Sequence, residues 1–225
     1  MTCLVCDDKR FVYVTDNQRD PRFGKGFPCP QCMGGAAGVR QVRLSSTCRV
    51  PPRYRSAAIA HFRDYAVSLQ SALDDSRRRR IFCTVWGSYG TGKTHLLAGV
   101  VNDGVRAGLV GVYATWGEVL DHLRSAYANR VEDDADKFWQ SLLDADVLAL
   151  DEVDKPASTD WAADKLFQLI NHRYNDVTKL TLFATNKRFQ PGDALTSDEP
   201  GPFESRLRER GNLIIALGGP DLRRL

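Results

Sequence analysis

No apolar run in this chain of 225 residues approaches the roughly 18 residues that a membrane-spanning helix needs. A signal core is missing as well: Met1-Thr2-Cys3-Leu4-Val5-Cys6-Asp7-Asp8 opens polar and carries two acids. The expected compartment is the cytosol, with no membrane contact. No internal repeat and no low-complexity tract is visible, which sets aside a repeat architecture. Cysteine is scarce, at six residues. In the cytosol such thiols are more often metal ligands than disulfides. A strong overall charge is lacking too. The formal net charge is +3, but residues 1–56 hold ten Lys/Arg against four Asp/Glu. That is +6 for the N-terminal part and −3 for the rest. A basic end on a slightly acidic body suggests an acidic partner, nucleic acid or protein. Hydrophobic content of 43% and charged content of 26% are those of an ordinary globular protein.

Against this plain background one motif stands out. Gly87-Ser88-Tyr89-Gly90-Thr91-Gly92-Lys93-Thr94 fits the phosphate-binding loop G-x-x-x-x-G-K-[ST]. Glycines let successive backbone N–H groups turn inward around a phosphate without Cβ clashes. Lys93 would reach the β- and γ-phosphates, and the Thr94 hydroxyl would ligate Mg²⁺. The flanks agree. Ile81 to Trp86 is a short apolar run suited to a buried parallel strand, and His95 to Val101 continues as a helix whose N-terminus faces the phosphates. A chance glycine turn would not bring strand, loop and helix in this order.

Strand–helix alternation continues to the end. Strands are expected at 109–114, 147–150, 180–185 and 212–217, and helices at 61–73, 118–127, 136–143 and 161–174. The fold class is therefore α/β, with a parallel sheet between helices. Asp151-Glu152 follows the apolar strand Val147–Leu150, where a carboxylate would hold Mg²⁺ through water. Asp151 takes that part, and Glu152 would polarise the attacking water as general base. Asp154 is a third carboxylate, for which a solvated turn fits equally well. Asn186 ends the run Leu182-Phe183-Ala184-Thr185 and would bond the attacking water and sense the γ-phosphate. Asn186-Lys187 is followed by Arg188-Phe189, so the aspartate of the guanine-reading N-K-x-D is missing and ATP is favoured. Glu204 to Arg210 carries three arginines. Spacing alone allows either a finger offered to a neighbouring subunit or a solvated helix face.

The cysteines carry a second signal. Cys3/Cys6 and Cys29/Cys32 are two C-x-x-C pairs 22 residues apart, the spacing of a structural zinc ribbon. Phe11 to Thr15 would supply a strand of its hairpin. Four thiolates would leave the Zn²⁺ no open position for substrate. Cys83 reads as a small buried residue, and Cys48 has no evident place. Gly34 to Gly38 reads as a hinge, and the basic stretch Arg40 to Arg55 follows it. Arg77 to Arg80 fits a solvated turn or a contact with a partner or nucleic acid. The expected division is a zinc ribbon at 1–34, a linker at 35–50 and an ATPase domain at 51–225.

The order of motifs resembles the AAA+ helicase loaders of the DnaC/DnaI type, in a clan that includes the IstB transposition helper. The resemblance rests on Trp86 to Leu97, Asp151-Glu152, Trp161, Asn171-His172-Arg173-Tyr174 and Ala184-Thr185-Asn186. Ala114 to Leu120 and Val50-Pro51-Pro52-Arg53-Tyr54 add to it. It covers roughly residues 48–225, and the paired cysteines are similar to the N-terminal module of DnaI-like loaders. It implies an AAA+ ATPase with a five-stranded parallel sheet and no large C-terminal lid. It also implies that Arg206 is an arginine finger and Arg223 a phosphate sensor. Two departures are present: Asp151-Glu152-Val153-Asp154 stands where relatives often read Asp-Asp-x-Gly, and Asp221-Leu222 replaces a Ser-Tyr. The implied function is ATP-dependent loading of a hexameric replicative helicase onto single-stranded DNA, with self-assembly in ATP. An IstB-like helper on duplex DNA is the alternative. A DNA-binding ATPase with no helicase partner is another, with Arg19, Arg22 and Lys25 on phosphates. Arg124, Arg130 and Lys137 are further candidates for DNA contact.

Overall fold

The apolar runs expected as strands are strands in a computed structural model of the chain. It describes residues 11–13, 26–28, 48–74, 81–128, 132–154, 160–176, 178–190, 202–209 and 211–221. Two compact units are present, Met1–Thr47 and Cys48–Leu225. In the first, β1 (Phe11–Tyr13) pairs antiparallel with β2 (Gly26–Pro28), with Phe11 opposite Pro28. This hairpin falls between the two cysteine pairs in sequence. Cys3, Cys6, Cys29 and Cys32 themselves lie outside the described residues, as do the 34–38 hinge and the 77–80 arginines.

The second unit is built on a parallel sheet of five strands. These are β3 (Ile81–Trp86), β4 (Gly111–Thr115), β5 (Val147–Asp151), β6 (Leu180–Thr185) and β7 (Leu213–Ala216), in the order β4-β5-β6-β3-β7. The inner strands β5 and β6 are buried along their whole length, which is why they read as largely apolar runs. The edge strand β7 alternates, with Ile215 buried and Ile214 exposed. The helices are α1 (Arg63–Asp74), α2 (Lys93–Arg106), α3 (Trp116–Ala128), α4 (Glu132–Asp144), α5 (Asp160–Tyr174) and α6 (Pro202–Leu207). Trp116, Leu120 and Leu123 of α3, Leu142 of α4 and Leu166 and Leu169 of α5 form one core with Leu148, Leu150 and Phe183 of the sheet. Burial pushes the Cys83 thiol up to about 12, so it stays a neutral packing group. Cys48 is buried too, and its carbonyl accepts from the Tyr113 N–H at 2.8 Å.

Several boundaries that differ from expectation have a local explanation. Helix α3 starts at Trp116, two residues early, because Thr115 and Glu118 form a capping box. The Glu118 N–H donates to Thr115 Oγ1 and the Thr115 N–H to Glu118 Oε2, both at 3.2 Å. Strand β4 starts late, at Gly111, because the Val110 N–H is diverted to Asp146 Oδ2 at 2.7 Å. The helix expected over 61–73 splits at Phe62, whose φ of −115° and ψ of 71° separate a 3-10 turn (Ile59–His61) from α1. Helix α6 is shorter than expected. The Asn212 side chain takes the Arg206 carbonyl at 2.7 Å and accepts from the Phe82 N–H at 2.9 Å, tying the end of α6 to β3.

Arg173 is the one guanidinium among the largest fully buried side chains, at 1% exposure. Its Nη1 donates to the carbonyls of Leu142 and Leu143, each at 3.0 Å, and of Ala145 at 2.7 Å. Nη2 donates to the Leu180 carbonyl at 3.0 Å and Nε to Thr181 Oγ1 at 2.7 Å. One side chain of α5 thus satisfies orphan carbonyls at the C-terminal end of α4 and at the start of β6. Burial pushes its pKa down to about 9, opposed by Asp176, Asp146 and Asp144, so it remains charged at neutral pH.

Candidate functional site

The strand order decides what meets at the carboxyl edge of the sheet. Strand β6 lies between β5 and β3. The ends of these three strands therefore bring Asp151, Asn186 and the loop 87–94 together, although sequence separates them widely. Such a crevice at the carboxyl ends of parallel strands is where α/β sheets hold ligands.

The loop enters α2 through Gly92, whose φ of +97° is left-handed and suits glycine. No side chain caps this helix, so its first N–H groups are left to the crevice. Lys93 Nζ is buried and donates to the carbonyls of Gly87 and Ser88, each at 2.7 Å. Its ammonium is folded back into the cradle that the loop makes. At Gly90, with φ of +79°, a Cβ would collide with the Asp221 carboxyl group, so the loop closes tightly there.

Opposite the loop sits Asp151, 3% exposed. Its Oδ2 accepts from Thr94 Oγ1 at 2.7 Å and from the Tyr113 hydroxyl at 2.8 Å, and its Oδ1 from the Glu152 N–H at 2.8 Å. Burial raises the Asp151 pKa. The three hydrogen bonds oppose this, and the neighbouring Glu152 charge adds to it. A cation beside this carboxylate would relieve both the desolvation and the repulsion. The paired hydroxyl and carboxylate oxygens of Thr94 and Asp151 are hard donors that suit Mg²⁺. Both oxygens of Asp151 are already engaged, which favours contact through water. Tyr113 was not singled out from sequence. Its signal is a tyrosine inside an otherwise apolar strand, where the hydroxyl must find a partner. The shared site pushes the Tyr113 pKa up, through burial first and then Asp151.

Glu152 is half-buried and has φ of +57°. A non-glycine residue held there costs roughly 1–3 kcal/mol and often marks a functional turn. Glu152 lines a cavity of about 510 Å³ with Asn186, Lys93, Thr94 and Asp151. The other end of the cavity is aromatic: Tyr54, His61, Phe62 and His95. The His61 and His95 rings meet at 2.8 Å through Nδ1 and Nε2, so at least one of them is neutral. Burial, then the nearby His61, lowers the His95 pKa. Helix α2 fixes this end, because Asn102 Nδ2 donates to the carbonyls of Tyr54 and Ala57 at 2.9 and 3.0 Å. A ring-walled pocket of this kind suits a flat heterocycle, with phosphates reaching the loop.

Tyr89 of the loop also lines the cavity, and the remaining candidates lie apart from its lining or outside the described residues. Arg206 does not line the cavity. Its guanidinium lies over the rings of Phe167 and Tyr174 at 5.4 and 5.2 Å, with Nη1 buried and unpartnered among the described residues. Ser88 and Tyr89 form the exposed tip of the loop, and Thr91 Oγ1 donates to the Ser88 carbonyl at 2.9 Å. Arg124 lies over the Trp161 ring at 5.1 Å, and Lys137 is exposed. Arg223 and Arg130 lie outside the described residues.

A five-stranded parallel sheet with a glycine–lysine loop after β3, and an acidic pair at the end of β5, defines a P-loop nucleoside-triphosphatase fold of the AAA+ type. Within that class the sequence profile of the IstB-like ATP binding proteins matches residues 75–200, and the chain belongs to this family. Among curated proteins, the chromosomal replication initiator protein DnaA of Campylobacter jejuni (strain 81-176) is 30% identical over 102 residues. That match covers 45% of this chain and only 22% of the relative's length. Among solved structures, the DnaI chain superposes with a TM-score of 0.62 at 20% identity, covering 80% of this chain and 100% of that one. The DnaC helicase loader gives 0.60 at 21% identity, covering 75% and 100%. DnaA bound to AMPPCP and single-stranded DNA gives 0.59 at 20%, covering 76% and 52%. At such identities the likeness is one of fold.

Proposed function

We propose that the chain is an ATP-dependent loader that places a hexameric replicative helicase on single-stranded DNA in the cytosol. The observation that carries this reading is coverage. The ATPase unit spans the whole of the DnaC and DnaI chains it resembles, and about half of the DnaA chain. The basic N-terminal part with its paired cysteines supports a separate grip on the helicase. Cys3, Cys6, Cys29 and Cys32 would hold Zn²⁺, and the hairpin β1–β2 lies between the two pairs.

ATP would lie with its base against Tyr54, Phe62 and His95 and its phosphates on the loop 87–94. Lys93 would swing from its two carbonyls to the phosphate oxygens. Mg²⁺, held by Thr94 and water on Asp151, would supply charge neutralisation at the phosphates. Glu152 would take a proton from the attacking water as its oxygen bonds to the γ-phosphorus and ADP leaves. Asn186 would fix that water. Arg206, released from its two rings, would reach a neighbouring copy's nucleotide and so couple ATP to self-assembly, with Arg223 sensing the phosphates. Hydrolysis, slow in the isolated protein and stimulated by partner or DNA, would release the loader.

Lys93→Ala should weaken ATP binding by about 10- to 100-fold, as loss of charge-assisted hydrogen bonds implies. Equilibrium binding of a fluorescent ATP analogue measures this, and parental affinity would remove Lys93 from the site. The helicase reading is tested by co-elution with the replicative helicase of the same host or replicon, with and without ATP. A complex lost on deleting residues 1–34 supports the loader and its grip. The family membership favours a second reading, an IstB-like transposition helper. ATP-dependent filaments on duplex DNA without a helicase complex would establish that reading in place of the loader.

A further inference from the structure

We propose that Asp154 is a positioning residue that sets which end of the Asn186 amide faces the nucleotide cavity; this rests on the ATPase reading above. The device begins at Glu152. Its left-handed backbone, with φ of +57°, turns the chain out of β5. The Val153 N–H then reaches the Ala184 carbonyl at 3.1 Å, which carries the turn across to the end of β6. Val153 is buried at 1% exposure and anchors the crossing. Asp154 arrives beside Asn186. Its Oδ2 accepts from the Asn186 backbone N–H at 3.2 Å and from Asn186 Nδ2 at 3.4 Å.

The chemistry of this pair is one-sided. An ionised carboxylate only accepts hydrogen bonds, so the amide nitrogen of Asn186 must face Asp154. The amide is planar, and its carbonyl oxygen is at the other end. Asn186 lines the cavity with Glu152, while Asp154 is not among the lining residues. Asn186 therefore presents an acceptor to the cavity. An acceptor takes a hydrogen of the water that Glu152 polarises, whereas a donor would compete for a phosphate oxygen. The two groups would then hold the two hydrogens of one water and aim its lone pair at phosphorus. Asp154 Oδ1 is buried with no hydrogen-bond partner among the described residues. A buried oxygen left unsatisfied on a half-buried carboxylate is costly to keep, which fits a functional constraint better than a packing one. The same left-handed turn thus sets both Glu152 and the residue that orients Asn186.

The test compares Asp154→Ala, Asp154→Asn and Asn186→Ala in the full chain. Asp154→Ala should lower kcat for ATP hydrolysis by about 10- to 100-fold, as misaligned reacting groups do, with ATP affinity within about twofold of the parent. Asp154→Asn keeps an acceptor oxygen, which the Asn186 backbone N–H would hold in the place of Oδ2, and should recover most of that loss. Asp154→Ala should cost nothing further in the Asn186→Ala background. The Asn186 side-chain amide pair in a 1H–15N spectrum, assigned by its loss in Asn186→Ala, should shift in Asp154→Ala without any nucleotide. The proposal is overturned if Asp154→Asn is as slow as Asp154→Ala, since charge would then be what matters. Multiplying losses in the double variant, or an unmoved amide pair, overturn it equally. A parent without ATPase activity would instead sink the ATPase reading, and the amide spectra alone would then decide the orientation.

Discussion

Glu152→Gln should bind ATP with parental affinity and hydrolyse it about 10²- to 10⁴-fold more slowly, the range that a general base contributes. The substitution keeps the size of the side chain and removes its ability to take a proton. It also removes one negative charge next to Asp151, whose pKa that charge helps to raise. Nucleotide and Mg²⁺ binding should therefore be unharmed. ATP-dependent assembly, if hydrolysis is what ends it, should persist rather than decay. Single-turnover hydrolysis of radiolabelled ATP measures the chemical step directly. A parental rate would show that Glu152 is not the base, whatever its strained backbone is for.

Much of this site could be read from sequence because the chemistry is local. A phosphate loop needs its glycines, lysine and hydroxyl on consecutive residues, so Gly87 to Thr94 declare themselves without any fold. The inner strands were legible for the same kind of reason. A strand buried on both faces, as β5 and β6 are, is mostly apolar, and its few polar side chains, such as Thr181, need buried partners. Asp151 closes the first of these runs, and Asn186 follows Thr185 at the end of the second.

What stayed hidden depends on strand order, which single residues do not encode. Tyr113 reaches Asp151 because β4 pairs with β5, with Thr115 in register with Asp151. His61 and His95 meet only because Asn102 and Asp103 on α2 hold the segment before α1; the Ile59 N–H donates to Asp103 Oδ2 at 2.8 Å. Asp154 reads equally well as a third carboxylate of the site or as a solvated acid until its bonds to Asn186 are seen. From spacing alone, Arg206 reads as a solvated helix-face residue or a finger. Its place over Phe167 and Tyr174 shows a third state, docked on its own subunit. A finger starting from there must give up that contact when it acts in trans, at a cost of about 1 kcal/mol.

Arg173→Met should destabilise the ATPase unit by about 4 kcal/mol, within the range for breaking a buried polar network. The estimate follows from what remains. Methionine fills much of the volume and removes the buried charge, which by itself would be favourable. But four carbonyls, of Leu142, Leu143, Ala145 and Leu180, and the Thr181 hydroxyl lose their donors. Each unsatisfied buried acceptor costs about 1–3 kcal/mol, so the losses outweigh the gain. Lysine would fare little better, because three donors on a flexible stem cannot serve five acceptors spread over two chain segments. For a unit of this size the loss corresponds to a fall in Tm of about 8–16 °C, readable by calorimetry. Arg173 lies away from the nucleotide cavity, so any protein that does fold should still bind ATP. A change in Tm of less than 2 °C would mean that water or backbone rearrangement replaces the guanidinium. That result would refute its assignment as the link between α4 and β6. A large fall would explain why arginine stands in the Asn171-His172-Arg173-Tyr174 motif: it fastens β6, whose end carries Asn186, to the body of the fold.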